Sequence, residues 1–160
     1  MKKHKNLGAI LIVSGVLILV FSVFFFGILP NLMKPSTNLW LGNGIFHADF
    51  VTDEAGRTNG LSGVSELAPN KALLMAFPNE SKWGIWMKDM KIPIDIVWLD
   101  KNKKVVYIVK NASPEDSTSK IFEPKTPAKY IIEVPAGTVD NLAVNIDQTA
   151  SFQVNEGDIK

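Results

Sequence analysis

The sequence predicts a mainly β domain, a small antiparallel sandwich or partly open barrel with one short helix, behind a single transmembrane helix. Three observations predict it. Near the N-terminus, the 22-residue run Gly8–Leu29 carries no charge. Beyond residue 44 the chain breaks into about seven short apolar segments of strand length, bounded by turn residues. Only one stretch in that part, after Thr52-Asp53-Glu54, has the marks of a helix start.

The N-terminal run reads GAILIVSGVLILVFSVFFFGIL. At about 1.5 Å per residue it reaches roughly 33 Å, enough for a hydrocarbon core of about 30 Å. In lipid every backbone polar group must be bonded within the segment, so such a run is helical. Lys2, Lys3 and Lys5 precede it and only Lys34 follows closely. The positive-inside rule then keeps the short basic tail, residues 1–7, in the cytoplasm and places the C-terminal domain outside. A cleaved signal peptide fits less well, because its apolar region is shorter and ends in a small-x-small site. Here the run ends Phe24-Phe25-Phe26-Gly27-Ile28-Leu29-Pro30. The expected organisation is therefore a tail over 1–7, a transmembrane helix over 8–29, a tether over 30–44 and an exported β domain over 45–160. Pro30, Pro35, Gly42 and Gly44 mark the tether as an irregular spacer. Trp40 and Leu41 are expected either at the membrane interface or packed on the domain.

The elements of the domain follow in order. Ile45–Val51 is a short strand. Thr52-Asp53-Glu54 supplies a cap residue and first-turn acids for a helix that Gly56 and Gly60 keep short. Ala72–Phe77 is an apolar strand stopped by Pro78, and Trp83–Met90 another before Pro93. Ile94–Leu99 and Lys104–Val109 flank Asp100-Lys101-Asn102-Lys103, the clearest hairpin signal in the chain. Residues 111–127 are polar and form a long loop. Tyr130–Val134 and Ala150–Val154 are two further strands.

Charge and composition exclude several functions. The net charge is +1, and beyond residue 35 there are 13 basic and 16 acidic residues, a mildly acidic domain ill suited to nucleic acid or anionic lipid. The absence of cysteine excludes a disulfide scaffold, a thiol nucleophile and a lipoprotein anchor. His47 is the one histidine of the exported part, so zinc is poorly supplied, and no cofactor or metal site is expected. Gly60-Leu61-Ser62-Gly63 is not a nucleophile elbow, and no phosphate-binding loop is present.

Four residues stand out as a candidate ligand site: Arg57, Trp86, Lys88 and Asp95. Arg57 is the only arginine beside 16 lysines, which suggests a position that needs the planar five-donor fork. Asp95 lies between Ile94 and Ile96, so strand alternation turns it to the opposite face from both. If that face is buried the carboxylate needs a partner, and Arg57 is the natural one. Such a pair serves either as a structural ion pair or as the floor of a polar pocket. Trp86, Lys88 and Met90 share one face of their segment, which suits either a recognition groove or core packing with Lys88 reaching out to water. No catalytic residue is assigned.

Gly60-Leu61-Ser62-Gly63, the strand Met75-Ala76-Phe77-Pro78, the stretch Trp86-Met87-Lys88-Asp89-Met90-Lys91-Ile92-Pro93-Ile94-Asp95 and the run from Tyr130 through Glu133 to Ala136-Gly137 resemble the family called domain of unknown function 192. The resemblance covers roughly residues 45–154. It implies a compact, mainly β domain of sandwich or jelly-roll-like architecture, often secreted or membrane-anchored, with no established activity. Arg57, Gly60, Leu61, Trp86, Met87, Lys88, Pro93, Asp95, Glu133 and Gly137 fit its pattern. Three places depart from it: Val64 stands where the family often has Arg, Asp89 where it usually has Asn, and Asp147-Gln148 where it usually has Gly-Asp.

The expected function is a membrane-anchored extracytoplasmic binding or interaction module. Its partner is a small anionic or glycan-like ligand, or a carboxylate on a protein, and not nucleic acid. A structural subunit of a membrane complex is an alternative that predicts a flat apolar patch instead of a pocket. An envelope-acting hydrolase using Asp89 or Asp95 as acid or base is another.

Overall fold

The computed structural model describes residues 35–118 and 120–160. The expected transmembrane run, residues 8–29, lies outside them, and no helix among the described residues is long and apolar enough to cross a membrane.

Eight strands form, β1 (Ser36–Leu41), β2 (Gly44–Val51), β3 (Lys71–Ser81), β4 (Ile85–Trp86), β5 (Ile94–Leu99), β6 (Val105–Ala112), β7 (Ile121–Phe122) and β8 (Ala128–Pro135). Helices are short: α1 (Glu54–Asn59), α2 (Thr138–Asn141) and 3₁₀ turns at Pro114–Thr118 and Glu156–Asp158. Six strands make one sheet in the order β1-β2-β3-β8-β5-β6, and β4 pairs with β7 in a separate ribbon. The domain is thus mainly β, as expected, but its large sheet is mixed and not antiparallel throughout: β2 and β3 are parallel. Parallel neighbours need a crossover, and residues 52–70, with α1 inside them, supply it.

The expected tether, residues 30–44, is no spacer from Ser36 onward. Its second half folds into β1, which pairs with β2 around a turn at Gly42-Asn43, with Gly42 at φ 55°. Leu39 and Leu41 point into the core while Trp40 is 44% exposed. Two other strands are shorter than the apolar runs suggest. Of Trp83–Met90 only Ile85–Trp86 pairs, and Ala150–Val154 makes only an isolated bridge at Ser151. Conversely, β3 runs through Pro78. The pairing of β3 with β8 shifts between Ala76 and Ser81, so the missing proline N–H is not asked for a ladder bond.

Every residue of β5 and Ala72–Phe77 of β3 are buried, because the middle of the sheet is covered on both faces. One face packs Phe46, Leu74, Val97, Tyr130, Ile132 and Phe152 into an inner core. The other packs Leu73, Met75, Ile96, Trp98 and Ile131 against Leu61 of the crossover and Ile85, Met87 and Phe122 near the ribbon. The segment before Phe152 ties the two sheet edges together. Trp40 of β1 exchanges backbone bonds with Ser151, while Lys103 and Val105 at the start of β6 bond Ala150, Gln148 and Asp147.

Two of the departures from the family pattern fall where the backbone is left-handed, Asp89 at φ 57° and Asp147 at φ 69°. Asn and Gly suit that conformation, and Asp is among the few other residues that tolerate it. Aspartate at both places is compatible with the turn it occupies.

Candidate functional site

Asp95 is fully buried, the case in which the sequence calls for a partner, but Arg57 is not that partner. Asp95 stands in register with Val134 of β8 and faces the side of the sheet on which α2 packs. Its Oδ2 accepts from the backbone N–H of Val139 at 2.8 Å and its Oδ1 from that of Asn111 at 2.8 Å. Gly137 caps α2 without any side-chain bond, so Asp95 does the capping from a neighbouring strand. It also holds Asn111 in its left-handed conformation, φ 52°. These bonds correct the expected Arg57–Asp95 pair and place Asp95 apart from the other three candidates.

Arg57 lies on the opposite, outer side. Asp53 caps α1 through Gly56 N–H at 2.8 Å, which sets the helix so that Arg57 faces the end of β3. Its Nη1 donates to the carbonyls of Thr52 at 2.6 Å and Ala76 at 2.9 Å, and Nη2 to a main-chain oxygen of Lys160 at 2.7 Å. Its guanidinium carbon is 5.0 Å from the centre of the Phe77 ring. Partial burial lowers its pKa, opposed by the nearby charges of Asp53 and Glu54. The fork is used, but on main-chain oxygens and not on the Asp95 carboxylate. Lysine lacks that planar fork, so Arg57→Lys is expected to cost about 1–3 kcal/mol. Urea denaturation checks this, and an unchanged midpoint would show that these bonds carry no net stability.

Around Arg57 opens a cleft of about 860 Å³, within the size range of small-molecule sites. The crossover forms one wall with Arg57, Gly60 and Leu61, and the segment Trp83–Trp86 with Ile121 forms the other. Met75 and Phe77 of β3 and Glu133 of β8 are its floor. Phe77 and Trp83 stack with centroids 4.4 Å apart. Trp86 is 46% exposed and Lys88 Nζ sits 5.7 Å from its ring centre. A second hollow of about 710 Å³, with Lys88 and Asp89 at its side, shares Trp86, Glu54 and Asn59 with the first. The walls are joined at their base, where Ser62 Oγ donates to the Lys88 carbonyl at 2.9 Å and Gly63 N–H to that of Asp89 at 2.8 Å. The structure therefore brings Arg57, Trp86 and Lys88 to one continuous depression and leaves Asp95 out.

Glu133 is the member of this depression that the four candidates omit. It is 3% exposed, and its Oε2 has no hydrogen-bond partner. Burial alone pushes its carboxyl up to about 8, so near neutral pH it is largely protonated. Gly60 allows the crossover to approach it: a Cβ there would stand 3.3 Å from Met75 Cε and 3.8 Å from Glu133 Oε2, on a backbone with φ 50°. The sequence does carry a signal for Glu133, a lone acid inside the apolar run Tyr130–Val134. Among the described residues there is no cluster of three or more His, Cys, Asp or Glu able to hold a metal ion, and His47 lies exposed on β2.

Residues 40–152 match a family model described as Uncharacterized ACR. A UPF0127 protein of Thermococcus gammatolerans is 33% identical over 112 residues, 69% of each chain. Another, from Thermococcus sibiricus, is 36% identical over 89 residues, and the match spans about half of that relative's length, 54%. Among solved structures, a candidate transcription regulator from Sinorhizobium meliloti superposes with a TM-score of 0.67 at 24% identity, over 75% of this chain and 94% of the other. A protein of unknown function from Novosphingobium aromaticivorans gives 0.67 at 18% identity, over 74% and 84%. At these identities the two structures show a shared fold and nothing further.

Proposed function

The chain belongs to that family, domain of unknown function 192 (DUF192), and from the cleft on its outer sheet face we propose that it is an extracytoplasmic binding module held to the membrane by residues 8–29. The observation that carries the binding reading is the pairing of a solvent-exposed Trp86 with an unpartnered Glu133 at the floor of the same cleft. An apolar concavity with a few convergent polar groups is the usual form of a ligand site. Acid–base chemistry by Asp95 has no support from its position, because both its oxygens are committed to backbone amides away from the cleft. The anchor rests on the uncharged run and on the lysines before it.

The test is thermal unfolding of the full-length protein, in a detergent without a sugar headgroup, against a library of sugars, amino acids and nucleotides. One ligand class at a hundredfold excess over its Kd is expected to raise Tm by roughly 5–10 °C. The double variant Trp86→Ala, Lys88→Ala should lose that rise. If no compound shifts Tm, or the double variant responds as the parent does, the cleft is not a binding site. Orientation is tested by adding protease to intact cells: digestion of the C-terminal domain supports export, and full protection overturns it.

A further inference from the structure

We propose that the cleft selects a neutral glycan, laying one sugar face against Trp86 and receiving a hydrogen bond from the Glu133 carboxyl to a ligand oxygen. The inference rests on the binding reading above and adds the class of ligand. It starts from Glu133 Oε2, which is buried at the cleft floor without a partner. A buried polar atom left unpaired is costly, and a ligand that completes its bonding recovers that cost on binding.

The charges around it decide the class. On the crossover side stand Glu54 and Arg57, beyond β7 stands Glu123, and Lys160 completes the rim. The neighbours of Glu133 in the sheet, Leu73 on β3 and Ile96 on β5, are apolar. With Lys88 and Asp89 of the adjoining hollow, three basic and three acidic side chains surround the depression, so neither a strong anion nor a strong cation is drawn in. A ligand cation on Phe77 or Trp86 would meet the protein's own positive charge, Arg57 5.0 Å from the one ring centre and Lys88 5.7 Å from the other, while Trp86 stays 46% exposed. What remains is an aromatic surface with a carboxyl group pushed up to about 8, which donates at neutral pH. A ring with one C–H face and hydroxyl oxygens at its edge matches that pair.

The experiment titrates the full-length protein with maltotetraose, cellotetraose, chitotetraose, a hexuronate tetrasaccharide and spermidine, by calorimetry at pH 6.5 and 9.5. At least one neutral tetrasaccharide should bind, and its Kd should rise roughly thirtyfold between the two pH values as Glu133 loses its proton. Glu133→Gln, which keeps an N–H donor, should abolish the pH dependence, and Glu133→Leu should weaken binding at pH 6.5 at least tenfold. The inference is overturned if no neutral tetrasaccharide binds, if only the hexuronate does, if spermidine binds and tightens at pH 9.5, or if Glu133→Leu binds as the parent does. Trp86→Ala separates the two readings. Loss of a ligand in Trp86→Ala with no response to Glu133 variants or pH leaves the binding module standing and removes only the glycan inference. If Trp86→Ala changes no binding at all, the cleft reading itself fails.

Discussion

Glutamine in place of Glu133 is expected to stabilise the domain at pH 7 by about 3 kcal/mol, because each pH unit between the unfolded and folded pKa of a buried acid is worth about 1.4 kcal/mol. The folded value is about 8 against an ordinary 4.5, and burial is its cause. The folded state thus binds the proton more tightly than the unfolded chain does. Stability from this group is fully present below pH 4.5 and is lost as pH rises to about 8, where the carboxyl must ionise in the cleft floor. Glutamine does not titrate, so its difference from the parent should grow across that window and level off above it. Urea denaturation at pH 4.5, 6, 7 and 8.5 reads this directly. Parallel profiles for parent and variant would mean that Glu133 is solvated in the folded protein. A natural sequence that keeps a destabilising group at a concave site is trading stability for something else, and binding is the usual return.

Removal of Asp95 should act in the opposite direction. Asp95→Ala leaves the N–H groups of Val139 and Asn111 without acceptors, both now bonded at 2.8 Å. Two such losses in a buried place come to about 3–5 kcal/mol, a large share of the roughly 5–15 kcal/mol that holds a domain together. Asp95→Asn keeps one acceptor oxygen and should lose about half as much. Hydrogen exchange should show the amides of Val139 and Asn111 opening first in the asparagine variant. Unchanged protection there, with the parent's urea midpoint, would remove Asp95 from its structural role. Because the carboxylate lies across the sheet from the cleft, neither variant should alter affinity for a cleft ligand while the domain is folded.

The strands that β-branched runs and turn residues mark were legible in the sequence. The β5–β6 hairpin turns at Asp100-Lys101-Asn102-Lys103, and Asp100 Oδ1 receives the N–H groups of Asn102 and Lys104 at 2.8 and 2.9 Å. α1 begins where the cap residue and acids of Thr52-Asp53-Glu54 mark a helix start, with Asp53 and not Thr52 as the cap. What pairs with what was not legible. The parallel contact of β2 with β3 depends on a crossover whose length looks like any loop, so an antiparallel sheet was the simpler expectation. β1 was hidden because Pro35, Gly42 and Gly44 bracket it like a spacer, while Leu39 and Leu41 alternate only briefly.

The candidate site was legible one residue at a time and not as a set. Arg57 was found by its rarity and Trp86 by its motif, and they meet in the cleft. Asp95 was assigned to them because a buried acid calls for a cation, whereas backbone amides satisfy it here. Alternation places Asp95 and Glu133 on opposite faces of adjacent strands: Glu133 stands opposite Ile96, one residue along from Asp95. Single-strand parity turns each acid away from its chain neighbours, and only the register between β5 and β8 reveals which of them looks into the concave side.

The backbone ties from Trp40 to Ser151 and from Lys103 and Val105 to the segment just before it have a consequence for the order in which the molecule folds. β1 precedes every other strand of the domain in the chain, yet one of its two neighbours, Ser151, follows all of them. Until residues 147–151 dock, the sheet has two unsatisfied edges, each a template for the wrong strand. Contacts so distant along the chain also close slowly. Closing both edges is therefore a late step of folding, completed only when residues 147–151 dock on β1 and on the start of β6.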